Sequence, residues 1–128
     1  MSIAIVQLGS PRRANEGLRI GTVRRPPRGV RKADYARRDF YDVWLPLLSP
    51  SPALVAQAKA ASNAAAWRSF MRRFSAEMRQ PEAARLLDLL AALSHQTNLS
   101  VGCYCPDESR CHRSVLRKLL AERRASLV

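Results

Sequence analysis

The chain has 128 residues, of which 47% are hydrophobic and 25% charged, and its formal net charge is +12. This length predicts one domain over residues 1–128 and excludes a multidomain protein, and the balance of apolar and charged residues excludes wholesale disorder. No apolar run reaches the roughly 18 residues of a membrane span, and the apolar start is too short for a signal peptide, so we expect a cytoplasmic protein with no membrane partner.

Two strands and a basic loop are predicted in the first part of the chain. Ser2 to Leu8 is an apolar run closed by turn residues, and Leu18 to Val23 alternates apolar with small or polar residues. The prolines in the basic loop, Arg24 to Gly29, remove backbone donors and end the second strand. The aromatic segment from Asp34 to Leu48 is expected to pack across this loop.

Three helices are predicted in the middle of the chain. The first covers Ala53 to Ala61 with Ser51 as its N-cap, the second begins at Asn63, and the third runs from Pro81 to near His95. Apolar side chains at helical spacing form a core stripe on each of the last two helices. The stripes are Trp67, Phe70, Met71, Phe74 and Met78 on the second helix, and Leu86, Leu89, Leu90 and Leu93 on the third. His95 is expected to cap the end of its helix.

A third strand and a last helix complete the pattern, which is typical of an α/β fold. Leu99 to Cys105 is predicted as a strand, and its period of two places the Cys103 and Cys105 side chains on one face. The last helix, Ser114 to Arg124, is expected to bury its leucines and to turn Arg113 and its other arginines to another side. No internal repeat or second domain is predicted.

The junction between the third strand and the last helix carries the most chemistry. It lies where α/β folds bind ligands, at the carboxyl end of a strand and just before a helix N-terminus. A cysteine at this place, Cys111, is a candidate nucleophile because arginines and an adjacent histidine lower a thiol pKa. His112 is a candidate general acid or base, and Arg113 a candidate anion clamp.

The three cysteines also permit two other interpretations. All lie between Cys103 and Cys111, which favours a local reduced-thiol site over a disulfide framework. A structural zinc site would use the cysteines with His112 or His95, but their spacing differs from the usual two-residue gaps and predicts a strained tetrahedron. Cys103 is also explained as a plain core thiol. The sequence therefore favours a site without a metal or other cofactor.

Several segments together resemble the bacterial family named domain of unknown function 488. They are Gly21 to Val30, Asp42 to Leu45 with Ser49-Pro50-Ser51, Trp67 to Met78, Gly102 to Cys105, and Cys111 to Ser114. The resemblance spans almost the whole chain, and its most specific part is the Cys-His-Arg-Ser junction. It implies a single α/β domain with a central, largely parallel sheet flanked by helices, and it implies no established activity.

The resemblance also extends to individual positions of the expected pocket. Arg24, Pro27, Arg28 and Gly29 match the family's basic loop, and Trp44 matches its tryptophan, although Arg25-Pro26 departs from the commoner loop sequence. One branch of the family replaces the cysteines near the last helix and keeps a histidine, which favours His112 over an obligatory cysteine nucleophile.

The sequence leads to two hypotheses about function. The first is an enzyme acting on a phosphate-bearing or nucleotide-like substrate, with His112 and Cys111 as catalytic residues. Its expected substrate-binding residues are Arg24, Arg28, Asp42, Trp44, Cys105 and Arg113. Core packing of Trp44, and an ion pair of Asp42 with Arg24 or Arg28, are the structural alternatives.

The second hypothesis is a noncatalytic nucleic-acid-binding protein. Arginine supplies 19 of the 22 basic side chains, and ten basic residues against four acidic ones precede Ser49. Such an excess of guanidinium groups favours anionic partners, either small molecules or nucleic acid. Alanine also occurs 19 times, however, and a GC-rich genome explains the same composition without any function for the charge.

Overall fold

Four strands form a sheet in which every neighbouring pair is parallel, in the spatial order β1-β4-β2-β3. In the computed structural model, which describes all 128 residues, the strands are β1 (Ile3–Gln7), β2 (Leu18–Gly21), β3 (Val43–Trp44) and β4 (Leu99–Cys103). The prediction of an α/β domain with a small, largely parallel sheet is confirmed. Because the strands are parallel, their carboxyl ends all lie along one edge of the sheet.

The central strand, β4, pairs with β1 on one side and with β2 on the other. Gln7 is opposite Cys103, and Gly21 is opposite Gly102, so the ends of three strands are level. A Cβ atom on Gly102 would lie 2.6 Å from Leu8 Cδ2 and 2.9 Å from the Val6 carbonyl oxygen, which explains the glycine by close packing.

Four helices cover the sheet, at α1 (Pro52–Ala60), α2 (Ala64–Met78), α3 (Pro81–Leu93) and α4 (Arg113–Glu122). The starts of α1 and α2 are capped as the sequence predicts. The Ser51 hydroxyl accepts a hydrogen bond from the α1 backbone, and the Asn63 side chain accepts one from the α2 backbone at 2.8 Å. None of these helices is both long and apolar enough to cross a lipid bilayer.

The main core lies between the sheet and the helices, and the α2 stripe enters it as predicted. Phe70 and Phe74 are almost fully buried there. On α3 the predicted stripe is partly wrong, because Leu89 and Leu93 are 54% and 37% exposed. The residues that α3 buries are Ala83, Leu87, Leu90 and Ala91. Two alanines take core positions because a small side chain lets a helix pack closely.

A buried ion pair stabilises the sheet away from its carboxyl edge. Arg19, which has no exposed surface, donates to Glu16 from Nε at 2.7 Å and from Nη2 at 2.9 Å. The Ser100 hydroxyl donates to the same carboxylate at 2.8 Å. Burial raises the Glu16 pKa, but the hydrogen bonds from Arg19 and Ser100 outweigh burial and lower the pKa to about 2.

A second, smaller apolar cluster lies at the carboxyl edge of the sheet. This carboxyl-edge cluster consists of Leu8, Val23, Tyr41, Cys103 and Cys111. It contains residues that follow β1 and β2, the last residue of β4 and a residue just before α4. The segments that carry the reactive side chains therefore meet at this edge of the sheet.

Candidate functional site

The candidate site is the junction from Cys103, at the end of β4, to Arg113, at the start of α4. A short 3-10 turn at Glu108–Arg110 occupies the middle of the connecting loop. Asp107 accepts hydrogen bonds from the Ser109 backbone and hydroxyl at 3.0 and 2.7 Å, and Glu108 pairs with Arg117 at 2.6 Å. These contacts hold the loop, so that the backbone around Cys111 is fixed.

The three thiols meet at this junction, and none of them forms a disulfide. Cys103 Sγ and Cys105 Sγ are 3.8 Å apart, so the prediction that these side chains share a face is confirmed. Cys103 and Cys111 are buried, with 7% and 2% of their surface exposed, whereas Cys105 is exposed. The cluster therefore has a buried part and one sulfur in contact with solvent.

His112 is buried and held in one orientation. Its Nε2 lies 2.7 Å from the Thr22 carbonyl oxygen, and because a carbonyl only accepts, we assign the ring proton to Nε2. The edge of Phe74 packs against the ring with centroids 5.5 Å apart. The other nitrogen, Nδ1, then carries a lone pair and lies 3.7 Å from Cys111 Sγ.

Arg113 is 3% exposed, so the expectation that it turns away from the interior was wrong. Its Nε donates to Cys111 Sγ at 3.4 Å, and its Nη2 donates to the Cys105 carbonyl oxygen at 2.6 Å. These bonds pull the guanidinium inward. No carboxylate pairs with Arg113, although the chain has seven ion pairs elsewhere. Burying a cation without a counter-charge costs free energy, so the neighbouring sulfurs are the groups that can balance the charge of Arg113.

The protonation of the thiols differs along the cluster. Hydrogen bonds from Cys103 and Cys105 lower the pKa of Cys111 against the opposing effect of burial. The hydrogen bonds to Cys105 and Cys111, together with burial, raise the pKa of Cys103. For Cys105, contact with Cys103 lowers the pKa, but contact with Cys111 and burial outweigh it. Of the three thiols, Cys111 is therefore the one whose deprotonation is favoured.

Three donor atoms of the cluster are close enough to hold one metal ion. Cys103 Sγ, Cys111 Sγ and a ring nitrogen of His112 all lie within 4.8 Å of one another. The bend between β4 and α4 places the adjacent residues Cys111 and His112 beside Cys103. The structure therefore brings together a Cys/His cluster that can bind a metal.

Tyr41 contributes a buried hydroxyl to the same region. It is the only buried side-chain oxygen or nitrogen without a hydrogen-bond partner, and its ring packs in the carboxyl-edge cluster with Cys103 and Cys111. Burial raises its pKa to about 12, with a further contribution from Tyr35. Sequence reasoning missed both Tyr41 and Thr22, since neither stands in a recognisable motif.

Arg24 and Trp44 lie near the carboxyl edge and brace the chain that follows β2. Trp44 Nε1 donates to the Val23 carbonyl oxygen at 2.7 Å, and Arg24 donates to the Ser49 and Pro50 carbonyl oxygens at 3.3 and 3.1 Å. Arg24 also lines a cavity of about 450 Å³, whose walls do not include the thiols or His112. These two side chains contact the site's surroundings and not its sulfurs.

Arg28 and Asp42 are not brought to the cluster. Arg28 is exposed in the basic loop. Asp42 precedes β3, which places it level with Arg19, and it accepts hydrogen bonds from the Arg19 backbone at 2.8 Å and from the Arg12 side chain at 2.8 and 3.0 Å. The expectation that Asp42 pairs with Arg24 or Arg28 was wrong, because those arginines lie beyond the opposite end of β2.

Comparison with known proteins gives one family. The family model DUF488-N3a, described as the active DUF488-N3 subclade, matches residues 3–124. No curated protein and no solved structure matches the chain. The match includes all four strands, all four helices and every member of the Cys/His cluster.

Proposed function

Because this chain belongs to the DUF488-N3a family, which is described as the active subclade, we propose that it is an enzyme with a metal centre that acts on an anionic, phosphate-bearing or nucleotide-like substrate. One observation carries the proposal. The donor atoms of Cys103, Cys111 and His112 lie within 4.8 Å of one another at the carboxyl edge of the parallel sheet.

The spacing of the donors fits a zinc-type ion. Tetrahedral zinc with bonds of about 2.3 Å to sulfur and 2.0–2.1 Å to nitrogen sets its sulfur and nitrogen ligands about 3.6 Å apart. Cys111 Sγ and His112 Nδ1 are 3.7 Å apart. The hydrogen bond from His112 Nε2 to Thr22 fixes the ring in the way that outer partners orient metal-binding histidines. Two thiolates and an imidazole leave a fourth position for chemistry, as in catalytic zinc sites.

Arg113 supports an anionic substrate. Its guanidinium is buried beside Cys111 and Cys105, and its Nη1 makes no hydrogen bond within the chain. A guanidinium next to a metal ion is suited to bind a phosphate oxygen and to stabilise charge that develops on it. In this proposal Arg113 binds the anionic group, while Cys103, Cys111 and His112 hold the ion that polarises it.

Metal analysis of the purified protein tests the proposal. We expect about one zinc-type ion per chain, lost in His112→Ala and Cys111→Ser. His95→Ala is the matched control, because the ring of His95 is exposed and only contacts the Arg124 carbonyl oxygen. The metal-loaded protein should also gain thermal stability from phosphate or nucleotides, which bind the folded state only. A wild-type protein that never takes up metal, or a His112→Ala variant that keeps it, contradicts the proposal.

A second candidate is catalysis by the Cys111 thiolate without a metal. The 3.4 Å hydrogen bond from Arg113 Nε to Cys111 Sγ favours it, since it stabilises the thiolate that attacks as a nucleophile. His112 Nδ1 then serves as the partner that takes or returns the proton. Alkylation by iodoacetamide in the presence of a chelator separates the two. Rapid modification of Cys111 that zinc does not slow supports the nucleophile, and protection by zinc supports the metal centre.

A further inference from the structure

We propose that Cys105 is the exchangeable fourth ligand of this centre, which leaves the metal when an anionic oxygen ligand such as a phosphate group binds. The inference rests on the proposed metal centre and describes how the anionic substrate reaches the metal ion. It concerns the one thiol of the cluster that is in contact with solvent.

The Cys105 sulfur lies next to Cys103 but outside the group of three donors that are all within 4.8 Å of one another, as suits a ligand that can leave the metal. Its distance of 3.8 Å from Cys103 Sγ equals the separation of about 3.8 Å expected for two thiolates on one tetrahedral zinc ion. The other histidine, His95, contacts the Arg124 carbonyl oxygen and is not part of the Cys/His cluster. The other three donors are buried and oriented, whereas Cys105 alone has solvent on one side.

The backbone at Cys105 lets its sulfur move while the loop stays in place. Arg113 Nη2 donates to the Cys105 carbonyl oxygen at 2.6 Å, and the turn that follows is held by Asp107. Rotation about χ1 of an exposed cysteine therefore turns the sulfur toward solvent without breaking these hydrogen bonds. The same guanidinium that fixes Cys105 also contacts Cys111, so the remaining site keeps its shape.

Charge explains why the exchange selects an anion. A divalent ion with the thiolates of Cys103 and Cys111 and a neutral His112 is uncharged, and a third thiolate from Cys105 makes the centre −1. Arg113, which has no carboxylate partner, then balances it. When Cys105 leaves, the buried group becomes +1, and an incoming anion restores neutrality in a region where an unbalanced charge is costly.

The exchange is a substitution without oxidation. The metal–sulfur bond to Cys105 breaks with its electron pair remaining on sulfur, and a lone pair of the phosphate oxygen forms the new bond to the metal. The sulfur moves into solvent, and the oxygen ligand lies beside the free Nη1 of Arg113. The bound phosphate is thereby contacted by the metal and by a guanidinium at once.

Cobalt(II) loading of the full chain tests the inference, because thiolate-to-cobalt charge-transfer absorption grows with the number of sulfur ligands. We expect the wild-type protein to bind cobalt with three thiolates, and Cys105→Ser to retain cobalt with the charge-transfer intensity lower by about one third. Inorganic phosphate should lower the wild-type intensity by a similar fraction and leave that of Cys105→Ser unchanged. His95→Ala, whose exposed ring lies outside the Cys/His cluster, is the control and should behave as wild type.

Each other outcome is decisive. Equal charge-transfer intensity in the wild type and Cys105→Ser overturns Cys105 as a ligand and leaves the proposed metal centre intact. Loss of cobalt binding in Cys105→Ser shows an obligatory ligand and overturns the exchange, as does a wild-type spectrum that phosphate does not change. A wild-type protein that binds no cobalt and no zinc overturns the proposed function itself.

Discussion

Replacing the buried Arg113 by methionine is expected to cost far more stability than replacing a surface arginine. Arg113→Met preserves the apolar stem and removes the hydrogen bonds to the Cys105 carbonyl oxygen at 2.6 Å and to Cys111 Sγ at 3.4 Å. A hydrogen bond from a charged donor contributes about 1.5–3 kcal/mol, and the bond to sulfur is the weaker of the two. The metal-free protein should therefore lose about 2–4 kcal/mol of its free energy of unfolding.

Urea unfolding with a chelator present measures this loss, with Arg117→Met as the matched control. Arg117 is on the same helix and pairs with Glu108, but its side chain is 37% exposed. Solvent screens such a pair, so the control should cost about 0–1 kcal/mol. Equal costs for the two variants, or a cost below about 1 kcal/mol for Arg113→Met, would refute the assignment of Arg113 as a buried anchor of the junction.

Three further predictions concern the rest of the chain. The pKa of Glu16 is lowered from 4.5 to about 2 in the folded protein. Its ionised carboxylate therefore contributes on the order of 3 kcal/mol to the free energy of unfolding above pH 4.5, and this contribution is lost as pH falls toward 2. Glu16→Gln should flatten this part of a curve of stability against pH. Leu87→Ala should cost about 2–5 kcal/mol in urea unfolding, whereas Leu89→Ser on the exposed face of the same helix should stay within about 0.5 kcal/mol. If the exposed basic loop binds nucleic acid, the affinity for random DNA strands should fall steeply with increasing salt. The affinity should also fall in an Arg25→Ser/Arg28→Ser double variant, but not in His112→Ala. Absence of any affinity at moderate salt excludes this surface as a nucleic-acid site.

Local pattern was sufficient for most of the fold. The apolar run of β1, the alternation in β4 and the stripe of α2 are short-range signals, and each is confirmed. The observed β4 ends at Cys103, two residues before the predicted end, yet the Cys103 and Cys105 sulfurs still lie 3.8 Å apart, as the predicted alternation implies. By contrast, the two residues of β3 carry no pattern and depend on pairing with β2.

The parts that sequence reasoning missed depend on contacts between distant residues. Whether Arg113 turns inward is decided by the Cys105 carbonyl oxygen, and the orientation of His112 is decided by the Thr22 carbonyl oxygen, ninety residues away in sequence. Backbone acceptors of this kind have no side-chain signature. The sequence spacing also argues against zinc, because it cannot show that the bend before α4 directs Cys111 and His112 toward Cys103.

X-ray absorption spectroscopy of the zinc-loaded full chain tests the central claim most directly, because it reports the atoms bound to the metal. The proposed centre predicts two sulfur ligands at about 2.3 Å and one nitrogen at about 2.0–2.1 Å, with a third sulfur when Cys105 is also bound. A first shell made only of nitrogen and oxygen, or zinc that is removed by gel filtration, would contradict a metal centre at Cys103, Cys111 and His112.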